Sequence, residues 1–260
     1  MALLTDDKID DQIRQVTALL SPASAGLTVP ELPDETRAAR LSDDHIAEEL
    51  RGFGPLGILS IVVILAGNLV LAPLSAILVL LWARLSHTAW RAIGYVRPES
   101  WTRAVVIGIT FGVAFKIVTK VLVMPLLGAP PLNQAYHYLV GNTAALPGVV
   151  LAMIVVAGWG EETVFRGYMF ERLGRLIGTA TWARFLTIVL TSGLFAMGHY
   201  HVQGLAGVEQ AMITGLVFGT IFAVTGRLWM LMFAHAAYDL TAVALIYWNL
   251  ESQFAHLVFK

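Results

Sequence analysis

The sequence predicts an all-α protein, a polytopic membrane helix bundle of about six to eight membrane segments. Hydrophobic residues make up 57% of the 260 residues and charged residues only 13%, whereas soluble domains carry roughly 25% charged residues. The mean hydropathy is +0.71, and the apolar residues are gathered in stretches that approach the ~20 residues a helix needs to cross a bilayer. A chain with this composition is expected to be an integral membrane protein.

Acidic residues divide the chain into two regions. Eleven of the eighteen Asp and Glu residues lie in residues 1–51, which leaves seven for the remainder. We expect residues 1–53 to form a polar, acidic tail, mobile or lying on the surface, with a short amphipathic helix over residues 41–50. Residues 54–260 form the predicted membrane-embedded domain. Because this domain otherwise avoids acids, the few that it contains carry more information.

Six apolar segments follow the tail. They cover approximately residues 56–83, 104–127, 146–160, 185–197, 205–224 and 228–248. The first contains Asn68 and Pro73 and is too short for two full spans, which allows a broken or re-entrant helix. The third and fourth run directly into charged residues or a histidine. We expect those helices to continue past their apolar parts and to carry polar side chains into a protein-lined cavity.

Arginine placement predicts an orientation in the membrane. Four arginines lie between the first two segments, whereas residues 128–147 contain no Lys or Arg. Arginine is frequent again after the third segment, and Arg227 follows the fifth. This alternation is what the positive-inside rule expects. It places the charged end of the third segment on the cytoplasmic side.

Two adjacent glutamates end the third segment. Glu161 and Glu162 are followed by Arg166, and each unpaired charge in hydrocarbon costs roughly 2.5–3.5 kcal/mol on insertion scales. On a helix Glu162 and Arg166 are i, i+4 neighbours in the favourable order for an ion pair. Glu161 points about 100° away and is expected to face a cavity. An isolated Glu-Glu pair near a membrane surface more often only caps and solvates a helix end.

Two later segments carry histidines. Phe195 and His199 are i, i+4 neighbours at the end of the fourth segment, and His235 and Asp239 are i, i+4 neighbours on the sixth. A lone aspartate at that depth is costly, and the imidazole offers it a partner. Each histidine taken singly is more often a packing or interfacial residue. Three polar elements on three apolar segments together predict an active site in an intramembrane cavity.

These residues resemble a known family. Glu-Glu-x-x-x-Arg-Gly at 161–167, Phe-x-x-x-His at 195–199 and His-x-x-x-Asp at 235–239 are similar, in order and spacing, to the three motifs of the CPBP family of intramembrane proteases. That family includes the type II CAAX prenyl endopeptidases and the bacteriocin-immunity proteins. The resemblance covers roughly residues 104–248. The last position of the third motif is Asn or Asp in the family, and Asp239 fits it.

The resemblance implies an intramembrane endopeptidase that hydrolyses a peptide bond in CAAX-type prenylated or other membrane-associated proteins. It implies that Glu161 is the general base and that His199 holds or shares the water. His235 and Asp239 would stabilise the oxyanion, with Asp239 orienting and charging His235. The implied setting is a bacterial inner membrane, with the active site towards the cytoplasm. Lipid and a peptide or membrane-protein substrate are the implied partners.

Two alternatives stay open. Glu161, His199, His235 and Asp239 form a plausible zinc set with room for a water, although the absence of a His-Glu-x-x-His motif favours a site without metal or other cofactor. The second alternative is a non-catalytic membrane scaffold or bacteriocin self-immunity protein. Thiol catalysis is excluded because the chain has no cysteine. Nucleic-acid binding is not indicated, because no basic patch lies outside the short loops that flank the membrane segments.

Overall fold

The computed structural model describes residues 34–259, and over that range all regular secondary structure is helical. The helices are α1 (Asp34–Arg51), α2 (Pro55–Val70), α3 (Ala72–Leu85), α4 (Trp101–Leu126), α5 (Leu146–Ile177), α6 (Thr181–Gly198), α7 (Tyr200–Thr225), α8 (Trp229–Tyr247) and α9 (Glu251–Ala255). The chain divides into two compact units, the first ending at His45 and the second, which contains α2 to α9, starting at Ile46. The predicted all-α class is confirmed.

Helix α1 contains the helix predicted over residues 41–50, but it begins earlier, at Asp34. Residues 1–33 lie outside the described part of the chain. The role of residues 1–53 as a tail therefore stays a prediction.

Five helices of the described region, α4 to α8, are long and apolar enough to cross a membrane. A sixth candidate arises if Ser42–Arg51 and Pro55–Asn68 count as one broken span. These lengths and compositions confirm a polytopic helical membrane protein. Six candidate spans would match the lower end of the expected six to eight, whereas five would be one fewer.

Helices α2 and α3 form an antiparallel hairpin in place of one long apolar span. Leu71 is extended (φ −163°, ψ 111°) and separates the two helices just before Pro73. Across this break the Ser75 hydroxyl donates to the Ile64 carbonyl oxygen at 2.6 Å. The helices have 16 and 14 residues, or about 21–24 Å, which is less than the ~30 Å of a hydrocarbon core. The predicted break in this segment is therefore present.

Two glycines one turn apart bring α4 against α8. A Cβ atom added at Gly108 would lie 2.7 Å from the Met230 carbonyl oxygen, and one added at Gly112 would overlap the Ala234 carbonyl. Small residues at this spacing allow membrane helices to approach closely. Because Ala234 precedes His235, this contact fixes the position of the histidine along α8.

Helix α5 carries the two glutamates between the other helices. Its middle part, Met153–Tyr168, is wound as a wide π-helix, a form that is frequent at functional sites. Gly158 approaches the Met232 carbonyl oxygen of α8, where an added Cβ would lie 2.9 Å away, and Gly160 approaches the backbone of Ala72 on α3. These contacts set the rotation of α5 and therefore the directions in which its glutamates point.

We predict that Gly112→Ala destabilises the protein by about 1–3 kcal/mol, because the new methyl group overlaps the α8 backbone. Gly174→Ala is the matched control on α5, since no atom lies within 4 Å of the position its Cβ would take. Thermal unfolding of the purified, detergent-solubilised variants measures the effect. Equal unfolding temperatures for the two variants would contradict the close α4–α8 contact.

Candidate active site

Glu162 lies at the centre of the polar cluster inside the bundle. Its side chain is 0% exposed, and its Oε1 atom accepts two hydrogen bonds, from Arg166 Nη1 at 2.9 Å and from His235 Nδ1 at 2.7 Å. An ionised carboxylate can only accept hydrogen bonds, so Nδ1 of His235 carries a proton. The ion pair with Arg166 has the geometry that the i, i+4 spacing predicts. The bond to His235 was not predicted.

Aromatic rings enclose the buried arginine. The guanidinium carbon of Arg166 lies 4.7 Å from the ring centre of Phe195 and 5.7 Å from that of Phe218. The same two rings contact the His235 ring, with ring centres 5.9 and 5.4 Å away. The cluster of Glu162, Arg166 and His235 is thus surrounded by apolar groups, where a charge that loses its partner is strongly destabilising.

The second ring nitrogen of His235, Nε2, faces two further carboxylates. It lies 3.7 Å from Glu161 Oε2 and 3.6 Å from Asp239 Oδ2, which is longer than a hydrogen bond. The side chains of Glu161 and Asp239 are 19% and 23% exposed. Nε2 and both carboxylates therefore remain accessible to a molecule in the adjoining cavity.

Glu162 and Asp239 face opposite nitrogens of the His235 ring. Nδ1 donates a short hydrogen bond to Glu162, and Asp239 lies 3.6 Å from Nε2. The resemblance implies that Asp239 orients and charges His235, and this role stays a prediction.

His199 lies at the junction of α6 and α7. Its Nδ1 atom is 2.9 Å from the Phe195 carbonyl oxygen, and the Phe195 ring stands edge-on to the imidazole with ring centres 4.7 Å apart. A carbonyl oxygen only accepts, so Nδ1 donates and Nε2 of the neutral ring keeps its lone pair. His199 thus offers an acceptor to the cavity.

A cavity of about 340 Å³ joins the four residues predicted to be catalytic. Glu161, His199, His235 and Asp239 all line it, while Glu162 and Arg166 lie behind them. Apolar side chains of α5 and α8 form much of the remaining wall. Further polar lining comes from Lys116, Asn133, Tyr136, Tyr138, Gln203 and Gln210.

These additional polar residues were not predicted from the sequence. Lys116 could have been, because a lysine inside an apolar segment is costly and is therefore a candidate functional residue. Asn133 and Tyr136 lie in the uncharged loop before α5, and nothing in their composition distinguishes them from other loop residues.

A zinc site requires ligand atoms in a defined geometry. Within residues 34–259, no group of three or more His, Asp or Glu side chains is arranged to hold a metal ion. Glu161, His199, His235 and Asp239 share one cavity, but zinc requires four ligand atoms at about 2.0–2.2 Å. As placed, these side chains do not fit that geometry.

Part of the chain, including this site, is similar to a protease family. Residues 143–241 match the family model described as type II CAAX prenyl endopeptidase Rce1-like. The match includes the site residues Glu161, Glu162, Arg166, His199, His235 and Asp239. No curated protein and no solved structure matches the chain. The resemblance to the CPBP family is confirmed, and it supports, at the family level, an intramembrane CAAX-type endopeptidase.

We predict that Glu162→Gln lowers the stability of the protein by about 3–5 kcal/mol, because it leaves Arg166 buried without its partner. Glu161→Gln, the same change at the adjacent position, is the control and should alter stability little, because Glu161 makes no short ion pair. Thermal unfolding of both purified variants distinguishes them. A similar loss for both would show that Glu162 does not hold the cluster together.

Proposed function

We propose that the chain is an intramembrane endopeptidase that hydrolyses a peptide bond with a water activated by Glu161. The observation that carries this proposal is the convergence of Glu161, His199, His235 and Asp239 on one cavity inside a membrane bundle. The family match supports peptidase activity. The different contacts of the two glutamates also support the proposal, because Glu162 is engaged in hydrogen bonds with Arg166 and His235.

Glu161 is the general base in this mechanism. Its carboxylate is partly open to the cavity and lies 3.7 Å from His235 Nε2, so it keeps lone pairs for a water. The water donates one hydrogen bond to Glu161 and the other to the free Nε2 of His199. Transfer of the first proton to Glu161 generates the nucleophile, and such transfers contribute about 10²–10⁴-fold to a rate.

His235 stabilises the oxyanion. As an imidazolium it donates from both ring nitrogens, Nδ1 to Glu162 and Nε2 to the oxygen that becomes negative when the nucleophile adds to the carbonyl carbon. Asp239, 3.6 Å from Nε2, balances the imidazolium charge. Collapse of the tetrahedral intermediate breaks the C–N bond, and protonated Glu161 returns its proton to the leaving amine.

The cavity wall supports an apolar peptide as substrate. Val149, Met153 and Val156 of α5 face Ala242 and Ile246 of α8 across the cavity, which suits hydrophobic side chains or a lipid-modified residue. CAAX-type prenylated peptides, named by the matched family, are the first substrates to test. The arginine pattern supports an inner-membrane orientation with this site towards the cytoplasm.

We predict that Glu161→Gln reduces turnover by about 10²–10⁴-fold without unfolding the protein, because the base is removed while the Glu162 cluster stays intact. The assay follows cleavage of a farnesylated CAAX peptide by mass spectrometry, with protein in liposomes. Glu99→Gln is the control, since Glu99 is 75% exposed and paired with Arg227 away from the cavity.

Chelators should leave this activity unchanged, because the mechanism uses a carboxylate and two imidazoles. Loss of activity on chelation, restored by zinc, would overturn the metal-free mechanism. A biological effect of the wild type that persists in Glu161→Gln would instead point to the scaffold alternative.

A further inference from the structure

Lys116 is a buried cation that the mechanism above does not use. It lies on α4 with 5% of its surface exposed. Its Nζ atom donates to Gln210 Oε1 at 3.0 Å and stands 4.7 Å from the ring centre of Tyr238. Both partners are neutral, and Lys116 forms no ion pair within the described residues. Asp239 and Glu251 act on its charge only from beyond ion-pair distance. A buried charge without a carboxylate in direct contact is expensive and marks a candidate functional site.

A second lysine on the same helix shows the contrast. Lys120, one turn further along α4, pairs with Glu251 at 3.1 Å and also donates to the Pro131 carbonyl oxygen. Glu251 in turn accepts from the backbone of Asn133. Lys120 therefore has a carboxylate in direct contact, whereas Lys116 has none among the described residues.

Lys116 stands where two cavities meet. It lines the cavity that contains Glu161 and His235, and it also lines a second cavity of about 310 Å³. Asn133, Gln203 and Gln210 line both cavities as well. A peptide with its scissile carbonyl at Glu161 can therefore extend past Lys116 into the second cavity.

We propose that Lys116 binds a carboxylate of the peptide substrate at the boundary of the two cavities. The inference rests on the proposed function and adds a specificity residue to it. An arriving carboxylate supplies the direct ion pair that no described residue provides, and Gln210 holds the ammonium in place for it. The carboxylate comes either from the free C-terminus of the substrate or from an acidic side chain.

The test measures binding instead of turnover, in the Glu161→Gln protein, so that no peptide is cleaved. The probes are fluorescent farnesylated CAAX peptides in two pairs. One pair differs only in a free or amidated C-terminus. Both peptides of the other pair have an amidated C-terminus, and they differ only in having Glu or Gln as the last residue. The variants are Lys116→Met, Lys116→Arg, and Arg103→Met, which removes an exposed cation of the same helix that lines neither cavity.

We expect the peptide with the carboxylate to bind about tenfold tighter, a typical effect of a charge-assisted contact. Lys116→Met should abolish this preference, while Lys116→Arg and Arg103→Met should keep it. The pair that shows the preference identifies the source of the carboxylate. Equal binding within both pairs overturns the proposal, as does a preference unchanged in Lys116→Met or an absence of binding by every peptide.

Failure of the proposed function gives a different result. In that case the protein with native Glu161 binds the carboxylate peptide with the same preference but does not cleave it. Equal binding of both members of each peptide pair to the Glu161→Gln protein, with cleavage by the protein with native Glu161 intact, would remove Lys116 from substrate recognition and leave the protease assignment standing.

Discussion

The hydrogen bonds of one carboxylate oxygen, Glu162 Oε1, hold the functional site together. They join Arg166 on the same helix and His235 on α8. Each charge in this cluster would be costly alone, and their removal from water is offset only while all the partners are present. The cluster therefore links helix packing to chemistry, because the bond that ties α5 to α8 also sets the direction in which the His235 ring presents Nε2 to the cavity.

Close helix packing fixes the positions of the residues in this cluster. Gly112 allows α4 to reach the α8 backbone beside His235, and Gly158 allows α5 to reach α8 one turn earlier. Without a hydrophobic driving force in lipid, close backbone contact of this kind is a main source of helix association. Glycines distant from the chemistry thus place the imidazole between Glu161 and Glu162.

Much of the site could be predicted because charge is scarce in this domain. Charged groups in apolar segments must find partners, so the positions of Glu161, Glu162 and Arg166 along the chain are themselves informative. Helical periodicity predicts the Glu162–Arg166 pair and the contact between His199 and Phe195, since the members of each pair lie one turn apart. The family motifs then connect these separate elements into one site.

The remaining contacts could not be predicted from the sequence, because they depend on how distant parts of the chain pack together. The bond from His235 to Glu162 spans 73 positions, and no periodicity reports which of two adjacent glutamates faces a distant helix. The π-helical winding of Met153–Tyr168 further alters the angle between neighbouring side chains from the α-helical value. The second cavity beside Lys116 is likewise a product of packing between α4, α7 and α8.

Imidazole nitrogen NMR of the protein labelled with ¹⁵N-histidine tests the central claim most directly, with His235 assigned by its absence from His235→Gln. We expect that Nδ1 of His235 carries a hydrogen-bonded proton in the wild type, and that this bond is lost in Glu162→Met, whose side chain has no strong acceptor. A neutral His235 ring with its only proton on Nε2, or a signal unaffected by Glu162→Met, would contradict this expectation.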